Sequence, residues 1–257
     1  MGIINVTPDS FSDGGKYSAL DSAIAHAQQL IAEGADILDI GGESTRPGAE
    51  PVSLQEELKR VIPLIEALSP VTPVPLSIDT YKPQVMRAAI EAGAHIVNDV
   101  RALQEPGALE IVANSQAAVC LMHMQGMPQT MQLNPNYQDV VSEVIQFLQD
   151  RANACLARGI SAERIVLDPG FGFGKTKEHN IALIQHIDDL ADLGYPLLVG
   201  LSRKSVLGKI AGGDEQQRLH AGLAASVISV MKGAKIVRVH DVKATVDALK
   251  VVSAVMS

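Results

Sequence analysis

EAGAHIVNDV, residues 91–100, packs a helix ending, a strand and a polar exit into ten letters. The glycine of EAGAHI suits a left-handed cap at a helix C-terminus. HIVNDV, which follows, is a short apolar run too continuous to alternate, as expected of a strand covered on both faces. The same closing phrase returns as EGADI (33–37) and KGAKI (232–236). Further β-branched runs recur along the whole chain: GIINV (2–6), DILDIGG (36–42), PLSIDT (75–80), AVCLMHM (118–124), RIVLDPG (164–170), PLLVGLS (196–202) and KIVRVHD (235–241). Helical patterns lie between them. Leu20, Ala23, Ile24, Ala27, Leu30 and Ile31 form one apolar stripe over 18–34. Ser53 and Glu56 have capping-box spacing, and Pro83 suits a first helical turn. Eight strands alternating with about eight helices in 257 residues predict an α/β fold, a single-domain (β/α)8 TIM barrel. An open doubly wound sheet is the alternative that the same pattern allows. No linker or low-complexity stretch marks a second domain.

Composition narrows the function. With 47% apolar residues, only 3% aromatic and no Trp, the core must be aliphatic. A net charge of −8 and no run of Lys or Arg argue against a nucleic-acid or anionic-membrane surface. Asp9 comes too early for a signal-peptide core, and no apolar run approaches the roughly 18 residues of a membrane span. Cys120 and Cys155 lack redox or metal spacing and read as reduced core thiols of a cytoplasmic protein. HExxH, CxxC and GxSxG are all missing from the sequence, which removes the support for zinc hydrolysis and elbow-serine chemistry.

In a barrel the chemistry gathers at the carboxyl ends of the strands. Those ends read Asn5, Asp39, Asp79, Asn98, His123, Asp168, then Ser202, Arg203 and Lys204, then Arg238, His240 and Asp241. One Asp or Asn there has a bland explanation in turns and helix caps. A ring of them does not, because Asp39, Asp79 and Asn98 stand within or at the very end of apolar runs, where a carboxylate needs a partner. The ring also looks segregated. Carboxylates and amides on strands two, three, four and six suit a neutral heterocycle rich in N–H donors. Cations on strands seven and eight, with Arg46, suit an anion.

DPGFGFGKT (168–176) resembles a nucleotide-binding P-loop but has three residues, not four, between Gly170 and Gly174. It reads instead as the exit of strand six. Its glycines let backbone approach a ligand, Phe171 and Phe173 face either the ligand or their own loop, and Lys175 is expected in solvent. His123 is expected to be a satisfied buried histidine. His26, His95, His179, His186 and His220 read as structural or solvated.

NVTPDSFSDGG (5–15), IGGESTRPG (40–48), the strand ending in Asp79, IVNDV (96–100), LMHMQG (121–126), LDPGFGFGK (167–175), GLSRKS (200–205) and RVHD (238–241) resemble, in the same order, the bacterial dihydropteroate synthases of the pterin-binding barrels. The resemblance covers essentially the whole chain, 1–257. It implies condensation of dihydropterin-CH2-pyrophosphate with 4-aminobenzoate, assisted by Mg2+, in a cytoplasmic homodimer. By matching position, Asp79, Asn98, Asp168 and Lys204 hold the pterin. Asn5, Arg46, Arg238 and His240 bind the pyrophosphate, and Asn5 its magnesium. Thr45, Arg46, Pro47, Phe173, Lys204 and Ser205 frame the aminobenzoate, whose carboxylate meets the helix start at Ser205. Asp13 is expected to steady a pterin cation, with Lys204, Arg238 and His240 as its catalytic companions. Loops 7–16 and 43–52 are long enough to serve as lids. Family members usually carry a short segment before the first strand, and this chain begins at that strand.

Two rivals share part of the pattern. A methyltetrahydrofolate methyltransferase has the pterin-facing Asp and Asn but no need of GGESTRPG and SRKS. A non-catalytic pterin-binding barrel leaves Arg46, Lys204, Arg238 and His240 without a task.

Overall fold

The computed structural model describes residues 1–6, 16–44, 48–212 and 218–256. Its strands are β1 (Gly2–Asn5), β2 (Leu38–Gly41), β3 (Leu76–Asp79), β4 (Ile96–Asp99), β5 (Ala118–Met122), β6 (Ile165–Asp168), β7 (Leu198–Val199) and β8 (Ile236–Val237). β1 to β6 pair in parallel in sequence order, and β7 pairs with β8. Bridges from Leu167 to Leu197 and from Gly2 to Val239 join the two groups and close the ring. The structure is therefore the closed barrel, not the open sheet.

Around it run α1 (Lys16–Ala32), α2 (Leu54–Leu68), α3 (Pro83–Glu91), α4 (Ala108–Ala113), α5 (Val140–Ala157), α6 (Lys177–Gln185), α7 (Ile187–Ala191), α8 (Ser205–Ala211), α9 (Leu219–Met231) and α10 (Val242–Met256). In α1 the predicted stripe faces the core, with Ala23, Ala27 and Leu30 buried. Gly93, after α3, has φ 111°, and a Cβ there would lie 2.0 Å from the Ser69 hydroxyl oxygen. Only glycine tolerates both conditions. Gly34 and Gly233, in the sister phrases, also have positive φ. The capping box at α2 is half made. The Ser53 hydroxyl accepts from the Glu56 N–H at 3.2 Å, but the Glu56 carboxylate turns to Lys59 and Arg60, where opposite charge outbids a neutral N–H.

Residues two apart share a face of a strand, so inward side chains stack in layers. A small apolar layer of Met1, Cys120 and Leu198, packed with Ile37, Val166 and Ile236, fills the barrel interior. Two residues further along their strands stand Asp39, Asp168 and Arg238, and Asn98 pairs in register with Cys120. The larger core lies between the strands' outer faces and the helices, built of residues such as Ile40, Leu64, Ile78, Val97, Leu121 and Leu167. Lining the barrel with apolar side chains below and polar ones above leaves one mouth for chemistry.

Candidate active site

Asp39 is fully buried beneath that mouth and fully engaged. It accepts from the Ser77 hydroxyl at 2.6 Å, from Asn98 Nδ2 at 3.2 Å and from Arg238 Nε at 2.6 Å. Arg238 also donates through a terminal nitrogen to Asp79 Oδ2 at 2.6 Å. One guanidinium thus clamps the carboxylates of β2 and β3. The two poles expected from the order of strand ends are therefore not apart. Order along the chain is linear, whereas the barrel is circular, and the Gly2–Val239 bridge brings the last strand beside the first two. Burial pushes the Asp79 carboxyl up to about 7, against the pull of Arg238. Arg238 itself is held firmly charged: both aspartates outweigh the cost of its burial.

Asp168 stands at the same level on β6. Its Oδ1 accepts from the Gly170 N–H at 2.7 Å, and burial raises its carboxyl above the usual range. Lys204, at the cap of α8, donates to the Phe171 carbonyl, and its ammonium lies 4.6 Å from the centroid of the Phe173 ring. Burial lowers this amine to about 8, partly offset by Asp168. It remains mostly cationic at neutral pH. Ser205 is exposed at the first turn of α8. Asn5 is exposed at the tip of β1. Beside it, His240 shares a 3.0 Å hydrogen bond with Ser202 through Nδ1, and its backbone N–H donates to the same hydroxyl. Arg203 pairs with Asp241 and stays outside this group.

Asp79, Asn98, Asp168, Lys204, Arg238 and His240 all lie on the strand exits of one mouth, with Asn5, Phe173 and Ser205 at its rim. Asp13, Thr45, Arg46 and Pro47 lie outside the described residues, as do most of loop 7–16 and the centre of loop 43–52.

On the glycine loop one open reading is decided and one expectation needs correction. Phe171 is fully buried in the core, and only Phe173 remains at the site. Lys175 is not solvated but buried, its ammonium enclosed by the loop's own carbonyls and by His123. Two of its partners are backbone carbonyls of a folded loop and the third is a ring on another strand's exit, which residue types do not reveal. The available signal was its place directly after three closely spaced glycines on the exit of a buried strand. His123 is buried as expected. A network of Tyr81, Glu43, Lys82 and Glu57 beside the mouth was not anticipated, because it joins the exits of β2 and β3 to α2 across long sequence separations.

Residues 1–240 match the family model described as pterin binding enzyme. The chain is 52% identical to the dihydropteroate synthase of Escherichia coli over 257 residues, all of this chain and 91% of the relative. It is 55% identical to that of Neisseria meningitidis serogroup B, over 98% of this chain and 90% of the relative. Among solved structures, the Xanthomonas albilineans dihydropteroate synthase with 4-aminobenzoic acid superposes with a TM-score of 0.94 at 52% identity, covering 100% of this chain and 92% of the other. The Burkholderia cenocepacia enzyme complexed with 7,8-dihydropteroate gives 0.91 at 53%, covering 100% and 90%.

Proposed function

This chain belongs to the pterin-binding enzymes, among their dihydropteroate synthases, and from that premise we propose how its residues divide the work. The reaction is the condensation of dihydropterin-CH2-pyrophosphate with 4-aminobenzoate to dihydropteroate and pyrophosphate, a transfer in folate biosynthesis. The observation that carries the division of labour is the single mouth in which Asp168 and Asn98 face the Arg238 clamp, with Lys204 between Asp168 and Phe173.

Asp79, Asn98, Asp168 and Lys204 hold the pterin, the acidic and amide groups meeting its N–H donors. Asn5, Arg238 and His240, brought to one sector by the β8–β1 seam, take the pyrophosphate, with Arg46 on the loop after β2. Phe173, Lys204 and Ser205 frame the aminobenzoate together with Thr45, Arg46 and Pro47. As the C–O bond breaks, negative charge grows on the leaving group and positive charge on the pterin methylene. Fixed cations stabilise the first most, because they need no reorganisation at that moment. Asp13 steadies the second. The aminobenzoate amine is neutral near pH 7, so no histidine base is required.

The divalent cation of this reading is Mg2+. Among the described residues no group of three or more His, Cys, Asp or Glu could hold a metal. In this reading the ion would be bound mainly through water and phosphate oxygens, with the Asn5 amide as protein ligand. Such an ion supplies charge neutralisation on the pyrophosphate.

The chain spans one barrel domain, 1–257, of a homodimer. The exposed Ile228 and Met231 of α9, with Val251, Val255 and Met256 of α10, support the dimer as one apolar face, and sedimentation velocity reports the state directly. Small-molecule substrates rather than nucleic acid or membrane are its partners, in keeping with the net charge. Among the described residues no helix is long and apolar enough to cross a membrane. Buried free thiols at Cys120 and Cys155 support a cytoplasmic location.

Two measurements test this reading. Pyrophosphate release should require the pterin pyrophosphate, 4-aminobenzoate and Mg2+ together, and release without aminobenzoate at the full rate would contradict it. Because the loops after β1 and β2 complete the aminobenzoate pocket over bound pyrophosphate, aminobenzoate alone should bind poorly. Equal calorimetric affinity with and without pterin and pyrophosphate would remove the ordered scheme.

A further inference from the structure

The loop that leaves β6 is held from inside by one side chain. Lys175 is 3% exposed, and its Nζ lies 2.9 Å from the Gly170 carbonyl, 3.0 Å from the Phe173 carbonyl and 2.9 Å from His123 Nδ1. The His123 carbonyl lies further off, at 3.4 Å. An ammonium has three N–H donors, and the three nearer acceptors match them, provided His123 is neutral with its proton on Nε2. The first condition agrees with the surroundings. His123 is buried, its ring edge-on to Phe147 at 4.9 Å, and burial followed by the Lys175 charge favours its neutral form. Burial lowers the Lys175 amine well below its usual range, with Asp168 pulling the other way; the neutral amine still has two N–H donors for the two carbonyls.

The remaining loop atoms are also tied. Gly172 N–H donates to Asn180 Oδ1 at 2.7 Å, and the Tyr137 hydroxyl donates to the Gly174 carbonyl at 2.8 Å. At Gly170, with φ +66°, a Cβ would lie 1.9 Å from the His123 carbonyl oxygen. The loop and the end of β5 are therefore in direct contact. Lys175 closes a backbone bracket with Gly170 O at one end and Phe173 O at the other. Gly170 is bonded to Asp168, and Phe173 carries the ring beneath Lys204.

We propose that Lys175, with His123 as its third acceptor, is a positioning residue that fixes the separation between the two substrate subsites by clamping Gly170 O and Phe173 O. The inference rests on the assignment of Asp168 to the pterin and Phe173 to the aminobenzoate. Lys175 touches neither substrate. Loss of the clamp disturbs the alignment of two bound reactants more than the binding of either one, and misplacement on the order of 1 Å can cost about 10²-fold in rate.

The test is steady-state kinetics and calorimetry on Lys175→Met, Lys175→Gln, His123→Leu and the Lys175→Met/His123→Leu double variant, each checked for folding by circular dichroism. For Lys175→Met, kcat should fall about 10- to 100-fold, while the calorimetric Kd of a 6-hydroxymethyl pterin and the KM for aminobenzoate shift less than about threefold. Lys175→Gln keeps two N–H donors for the two carbonyls and should recover most of kcat. The double variant should be no worse than Lys175→Met, because the pair acts as one unit. If Lys175→Met does not fold, His123→Leu against Lys175→Gln decides: His123→Leu should lose kcat at nearly constant affinity, while Lys175→Gln keeps most of it. The proposal fails if folded Lys175→Met or His123→Leu keeps kcat. It fails equally if kcat, Kd and KM worsen by one common factor, which is the mark of a merely loosened protein, or if the single effects multiply. Normal pterin binding by an Asp168→Asn variant would instead defeat the underlying assignment and leave the clamp's kinetics to be judged separately.

Discussion

Arg238→Ala is expected to destabilise the fold by about 3–5 kcal/mol, the cost of breaking a buried ion pair by removing one partner. The reason is geometric. Arg238 is the cation between Asp39, which is fully buried, and Asp79, with both contacts at 2.6 Å. Without it, two carboxylates of neighbouring strands face each other in a largely buried layer. The loss should depend on pH. Burial already lifts Asp79 to about 7 in the presence of Arg238, and without that charge it rises further. A carboxyl whose folded value exceeds its unfolded one takes up a proton on folding, so its burial costs progressively more as pH rises through the folded value. The variant's deficit in melting temperature should therefore be larger at pH 8 than at pH 5. A deficit of the same size at both would mean the carboxylates are not the cause. In the fraction that folds, turnover should fall more than substrate affinity, since the need for the cation grows as the leaving group departs.

Asp168→Asn should weaken pterin binding about 10- to 150-fold, because a hydrogen bond to a charged group is worth roughly 1.5–3 kcal/mol. The structure sharpens the argument. Oδ1 is committed to the Gly170 N–H at 2.7 Å, so the amide oxygen must stay there. The new NH2 then points at the pterin's own donors, and a donor faces a donor. Unfolding is a smaller concern than for Arg238, since the loop contact survives. Calorimetry on the folded variant giving wild-type pterin affinity would falsify the donor-recognition role.

The barrel was legible because its unit repeats. EAGAHIVNDV and its sisters carry cap, strand and polar exit in a form that backbone geometry dictates, and Gly93 at φ 111° shows why the glycine is needed. The polar ring was legible as well, since charge inside an apolar strand demands a partner. What residue types could not convey was who the partner is. Asp39 and Arg238 are 199 residues apart, and only closure makes them neighbours. Lys175 failed for the opposite reason. Its two carbonyl partners are a few residues away, but their direction depends on three positive-φ glycines acting together, and its third partner, His123, is 52 residues off. Phe171 and Phe173, two residues apart on that loop, parted for the same cause, one entering the core and the other the mouth.

The Arg238 clamp also orders events during folding. A contact spanning 199 residues cannot form until nearly the whole chain has been made and its longest loop closed. Until β8 docks, Asp39 and Asp79 have no counter-charge and oppose the packing of their own strands. The final strand thus supplies a site residue and also lifts an electrostatic penalty carried by the first half of the chain.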